Sequence, residues 1–107
     1  MTRAKDFPEV VTLCGSTRFK EQFIEANRKL SLQGKIVLSV GQFTHADSLS
    51  LSEEQKKKLD ELHFKKIEIS DTIYVIDVDG YIGQSTRNEI EYAKKLNKKI
   101  YYYSRGD

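Results

Sequence analysis

Val10-Val11-Thr12-Leu13-Cys14, followed by Gly15-Ser16-Thr17-Arg18, joins a β-branched apolar run to a glycine and two hydroxyl residues, with a helical pattern directly behind. A short apolar run that ends in a glycine turn and enters a helix is the first half of a strand–helix–strand crossover. Three more such runs, over 36–40, 72–77 and 100–103, alternate with helical patterns. That alternation predicts parallel strands joined by crossover helices. The runs are continuously apolar rather than alternating, as suits strands covered on both faces. The second and fourth strands are expected at the edges. The fold class expected is α/β: one domain over 1–107, a flavodoxin- or Rossmann-like open parallel sheet of four strands with three helices.

Phe19, Phe23, Ala26 and Leu30 recur at helical spacing and place the first helix over 17–32, with Gly34 as its stop. Ser52-Glu53-Glu54-Gln55 has the form of a capping box and opens a second helix, with Leu59, Leu62 and Ile69 on one stripe. The third helix follows Ser85-Thr86, carries Ala93 and Leu96 on its apolar side, and ends at Asn97. The stretch 41–51 is the one long loop, and long loops in compact domains often carry function.

A chain of 107 residues buries one core. Charged residues make up 32% and apolar ones 38%, a globular balance. The net charge of +2, from 18 basic and 16 acidic residues, lacks the one-signed excess of a nucleic-acid binder. Lys56-Lys57-Lys58 reads as a solvated helix face. No apolar run is long enough to span a bilayer, and no signal segment precedes Phe7-Pro8, so a cytoplasmic location without membrane contact is expected. The lone Cys14 cannot make an internal disulfide, and one cysteine with two histidines is too few for a structural zinc site. Neither a metal nor a cofactor is expected.

In an open parallel sheet, ligands bind beyond the carboxyl ends of the strands. That rule nominates 15–18, 41–51, 78–86 and the tail after Tyr103. At the first of these, backbone N–H groups, the Ser16 and Thr17 hydroxyls and the Arg18 guanidinium converge on a predicted helix start, a place suited to phosphate. The structural alternative makes Ser16 an N-cap and Arg18 a solvent-facing side chain. Cys14 and Arg18 are too close in sequence for a Cys-x5-Arg phosphatase cradle, and Cys14 reads as a small buried filler.

The second constellation is Gly80-Tyr81-Ile82-Gly83-Gln84-Ser85-Thr86-Arg87-Asn88-Glu89. Helical spacing puts Glu89 on the sheet-facing side with Ala93 and Leu96. Two readings stand there. Thr86-x-x-Glu89 is itself a capping box, or Glu89 is a carboxylate nucleophile held beside a sugar. His63 falls near the apolar stripe of the second helix beside Lys66, either as a satisfied core residue or as a proton donor. His45 and Asp47 are solvated, or touch a base.

With these two constellations, the chain resembles the nucleoside 2-deoxyribosyltransferase superfamily, nearest its nucleoside 5′-monophosphate N-glycosidase branch. The similarity runs from the first strand to Tyr103. In that branch a Cys-Gly-Ser-x-Arg loop binds the 5′-phosphate, and here Ser16 and Arg18 occupy those places, beside Gly15, which permits close backbone approach, and the hydroxyl donor Thr17. Ser85-Thr86-Arg87-Asn88-Glu89-Ile90 looks like the motif that carries the nucleophile, which assigns Glu89. The resemblance implies hydrolysis of the N-glycosidic bond of a (deoxy)nucleoside 5′-monophosphate by attack of Glu89 on C1′. It also implies a homodimer or larger homo-oligomer in which a neighbouring subunit closes the site. Tyr81 or Phe43 is expected to stack on the base, Ser85 and Arg87 to add phosphate or ribose contacts, and Gly83 and Thr86 to lie among the substrate-binding residues. Thr12 stands where the family has an aromatic hydroxyl. His63 stands at or near an expected Asp, which makes it the candidate acid, with Asp60 one turn earlier as its alternative. Two other functions use the same residues: a module that holds a nucleotide or ADP-ribose-like ligand uncleaved, and base transfer between nucleosides.

Overall fold

The computed structural model describes residues 6–43 and 47–107. The elements run β1 (Val10–Gly15), α1 (Lys20–Leu32), β2 (Ile36–Leu38), α2 (Glu53–Ile69), β3 (Thr72–Ile76), α3 (Gln84–Lys95) and β4 (Lys99–Tyr102). Single 3-10 turns, Val78–Gly80 and Tyr103–Arg105, follow β3 and β4. The sheet order is β2-β1-β3-β4, every pair is parallel, and the second and fourth strands are the edges as expected. The chain builds outward from β1 to β2, then returns to β3 and builds the other way. Its direction therefore reverses between β1 and β3, where the carboxyl ends leave a crevice.

Strand periodicity decides what each β1 residue touches. Val11 and Leu13 pack with Tyr74 and Ile76 against Phe23, Ala26 and Leu30 of α1. Cys14 faces the opposite layer, with Ile73 and Val75, against Ile67 of α2 and Ile90 and Ala93 of α3. Thr12 shares that side. Its hydroxyl donates to the Lys66 carbonyl at 3.1 Å and contacts the Ser70 hydroxyl, so it anchors the end of α2.

Three local expectations shift. Helix α1 starts at Lys20 rather than 17, because Phe19 N–H donates to the Ser16 carbonyl at 3.1 Å and closes a turn first. The α2 capping box forms, with Ser52 Oγ accepting from Gln55 N–H at 3.1 Å and Gln55 Oε1 accepting from Ser52 N–H at 2.9 Å. The face that α2 buries, however, carries His63 and Ile67, while Leu62 and Ile69 are 50% and 65% exposed. Phe64, edge-on to Tyr92 at 5.0 Å, fixes this rotation against α3. In α3 the cap is Gly83 and the helix begins at Gln84, so Thr86 lies inside the first turn, buried. The Thr86–Glu89 capping box is thereby excluded. Leu96 falls just beyond the helix and is exposed, and Asn97 ends it with a left-handed φ of 59°.

Gly15 pairs with Ile76 across the two central strands. A Cβ there would lie 2.8 Å from the Ile76 carbonyl oxygen and 3.0 Å from its Cβ, both parts of a rigid strand. Gly15→Ala is therefore expected to cost about 1–3 kcal/mol through overpacking. A urea unfolding curve checks this, and a midpoint unchanged from the parent would show that β1 and β3 separate freely at this end.

Candidate functional site

A cavity of about 520 Å³ opens at the carboxyl edge of the sheet. That volume suits a small-molecule ligand, for which ~300–1,000 Å³ is usual. Its walls come from three of the four nominated segments. The turn after β1 supplies Gly15, Ser16, Thr17 and Arg18. The segment after β3 supplies Tyr81 and Gly83 and leads into Ser85, Thr86 and Glu89 of α3. The long loop adds Gly41, Gln42 and Leu51, and α2 adds Asp60 and His63. The tail after Tyr103 does not reach the cavity, because Ser104 N–H and Oγ donate to Asp77 at 2.8 and 2.6 Å and hold it down.

Two expected contacts lie elsewhere. Phe43 is absent from the cavity walls and packs edge-on against Phe23, with ring centroids 5.5 Å apart, as part of the α1 core. Arg87 lies about 200° around α3 from Glu89 and lines a separate shallow groove with Asn88 and Glu91. Asp47 does not line the cavity and pairs with Lys20 at 2.8 Å on the exposed surface. His45 lies outside the described residues.

The turn after β1 is preset. Arg18 N–H and Nε–H both donate to Ser16 Oγ, at 3.3 and 3.1 Å, and the guanidinium stacks 4.6 Å from the Tyr81 ring centroid. The Ser16 hydroxyl hydrogen is left for another acceptor. Arg18 remains exposed, with the forked donor set that matches phosphate oxygens.

At the inner end, three reactive side chains from three elements meet. His63 Nε2 lies 3.5 Å from Cys14 Sγ and 3.7 Å from Glu89 Oε1. The His63 and Glu89 side chains are only 8% and 14% exposed. Burial pushes Glu89 up to about 7, against the pull of the Cys14 thiol hydrogen bond, and the like charge of Asp60 adds to the rise. Burial pushes His63 down to about 4, helped by the Lys66 charge. The Cys14 thiol is raised well above its usual value by burial and then by Glu89. Burial thus disfavours the charged form of each of the three groups. Lys66 itself donates to the Ser39 carbonyl at 2.6 Å and borders the cavity.

Position in the sequence marked Glu89 and His63, whereas the contact of Cys14 with both depends on the rotation of α2. One signal was present: Cys14 lies two residues after Thr12, and so on the same face of β1.

A carboxyl group raised from 4.5 to about 7 on folding binds its proton more tightly in the folded state. Its stabilising share is complete below the unfolded value and lost as pH rises through about 7. Glu89→Gln, which stays neutral, is therefore expected to gain about 3 kcal/mol over the parent at about pH 8 and nothing at about pH 4. Denaturant titrations at the two pH values test this. An equal difference at both would mean that Glu89 is not held uncharged.

No protein-family model and no curated protein matches the chain. Among the described residues, no helix is long and apolar enough to cross a membrane. Fold and cavity together define the class: a doubly wound α/β domain with a cavity at its carboxyl edge, the turn with Ser16 and Arg18 at one wall and the largely buried Glu89 carboxyl group at another.

Proposed function

We propose that the chain hydrolyses the N-glycosidic bond of a (deoxy)nucleoside 5′-monophosphate, with Glu89 as nucleophile. One observation carries this reading: the 15–18 turn and the Glu89 carboxyl group line the same cavity, and Glu89 is not a helix cap. The 5′-phosphate sits in the turn, taking donors from Ser16 and Arg18. Tyr81, already a stacking surface for Arg18, lies against the base. The ionised Glu89 attacks C1′, the base leaves with its bonding electrons and takes a proton, and water then hydrolyses the glycosyl ester. Asp60 and His63 border the cavity as acids for the leaving base. The resemblance to oligomeric enzymes extends the proposal to a homo-oligomer, which the exposed Leu62 at the cavity mouth supports.

A second reading, a binding module for a nucleotide or ADP-ribose-like ligand, is favoured by the state of His63. With its proton affinity lowered to about 4, few molecules carry the imidazolium at neutral pH, on the order of one in 10³. A panel of ribo- and deoxynucleoside 5′-monophosphates with their parent nucleosides separates the readings, with free base followed by chromatography. Hydrolysis predicts base from the monophosphates in preference to the nucleosides. Binding without release would establish the module, and base exchange between two nucleosides would establish transfer.

The nucleophile must be ionised, so kcat/KM is expected to rise about tenfold per pH unit on the acid side and level off above about 7. A profile flat between about pH 5 and 8 would remove the carboxylate of Glu89 from the rate.

A further inference from the structure

The Cys14, His63 and Glu89 side chains offer one sulfur, one nitrogen and one oxygen, all within 4.8 Å of one another. We propose that these three residues form a binding site for a borderline divalent ion of the zinc class, with the fourth coordination position open to the cavity. Two of the three ligand separations fit such an ion, and the third, Cys14 Sγ to the Glu89 carboxylate, is within 4.8 Å. Bonds of ~2.3 Å to sulfur and ~2.0 Å to nitrogen at a tetrahedral angle hold those two atoms ~3.5 Å apart. Cys14 Sγ and His63 Nε2 stand 3.5 Å apart, and the 3.7 Å from His63 Nε2 to Glu89 Oε1 needs a closure of only a few tenths of an ångström.

Each ligand comes from a separate rigid element, the end of β1, the middle of α2 and the second turn of α3, so no loop has to order. Three protein ligands facing a cavity are the arrangement of an open zinc site rather than a closed structural one. His63 and Glu89 border the cavity and Cys14 lies behind them, fully buried, which leaves the outward position for water or a ligand atom. Charge agrees as well. A dication with one thiolate and one carboxylate sums to zero, whereas either anion alone in this buried place is uncompensated. On binding, the thiol and any protonated carboxyl group release their protons to solvent. The charges facing the site are Asp60, which favours a cation, and Lys66, whose ammonium is directed to the Ser39 carbonyl.

The existence of the site does not depend on the nucleotide reading, but its consequence does. An ion held by Glu89 occupies the proposed nucleophile, so the ion and glycosidic cleavage exclude one another. The test is titration of the purified chain with Co²⁺, which reports its own ligands. One equivalent giving strong tetrahedral d–d bands and a sulfur-to-cobalt charge-transfer band is expected, with zinc displacing it. Cys14→Ser should abolish the charge-transfer band, and His63→Ala and Glu89→Gln should each weaken binding at least tenfold. Circular dichroism confirms which variants fold, and Glu89→Gln keeps the test decisive if a Cys14 variant does not. Weak octahedral bands without charge transfer, or an unchanged spectrum in Cys14→Ser, would overturn the site. If the chain releases base, zinc should stop release and a chelator restore it. If it releases none, the cobalt spectrum still decides, so the two readings fail separately.

Discussion

Replacing Glu89 with alanine is expected to lower base release from a nucleoside 5′-monophosphate by on the order of 10⁴-fold. Loss of a nucleophile removes the covalent route itself, and what survives is catalysis by binding alone. Affinity should hardly fall, because the 15–18 turn, to which the proposal assigns the phosphate, lies on another wall of the cavity. Single-turnover measurements with calorimetric binding separate the two quantities. Base release equal to that of the parent would return Glu89 to a structural role, yet the helix cap once available to it has gone to Gly83. Nor does burial alone explain a carboxyl group there: held at about 7, it is partly ionised at neutral pH at a cost to stability.

Arg18→Ala is expected to weaken binding of the monophosphate by about 10- to 100-fold, the worth of a charge-assisted hydrogen-bond pair. The parent nucleoside, which lacks the phosphate, should bind the variant and the parent alike. Because Arg18 is exposed and stacks on Tyr81, its removal leaves the core untouched, and stability should change by less than about 1 kcal/mol. Equal losses for nucleotide and nucleoside would place the phosphate elsewhere.

The central sheet was legible because its signals are local. Apolar runs, the glycine after β1 and the Ser52 capping box each act within a few residues, and the second and fourth strands lie at the edges as expected. Helix rotation was less legible. The stripe Leu59, Leu62, Ile69 satisfies helical spacing as well as His63 and Ile67 do, and only tertiary packing, with Ile67 buried against β1, β3 and α3 and Phe64 set against Tyr92, selects between them. The start of α3 was misplaced for a similar reason: Thr86 and Glu89 have capping chemistry, but Gly83 turns the chain earlier and leaves Thr86 to be buried.

The site followed the same division. Residues 15–18 and Glu89 meet at one cavity because strand-end turns and the helix starts that follow them converge there whatever the details of packing. Phe43 was misplaced because an aromatic residue in a polar loop looks like a stacking platform, yet Phe23 offered it a core contact. Arg87 was included as a neighbour in sequence, although two helical positions carry it to the far side. Cys14, read as filler, does fill the core, but its sulfur also meets His63.

The account stands most directly on one measurement: a crystal structure with a non-hydrolysable nucleoside 5′-monophosphate. It predicts phosphate oxygens within hydrogen-bond distance of Ser16 and Arg18, and C1′ about 3–3.5 Å from a Glu89 oxygen, the separation of a near-attack geometry. A phosphate bound away from the 15–18 turn, or a C1′ more than about 6 Å from Glu89, would contradict it.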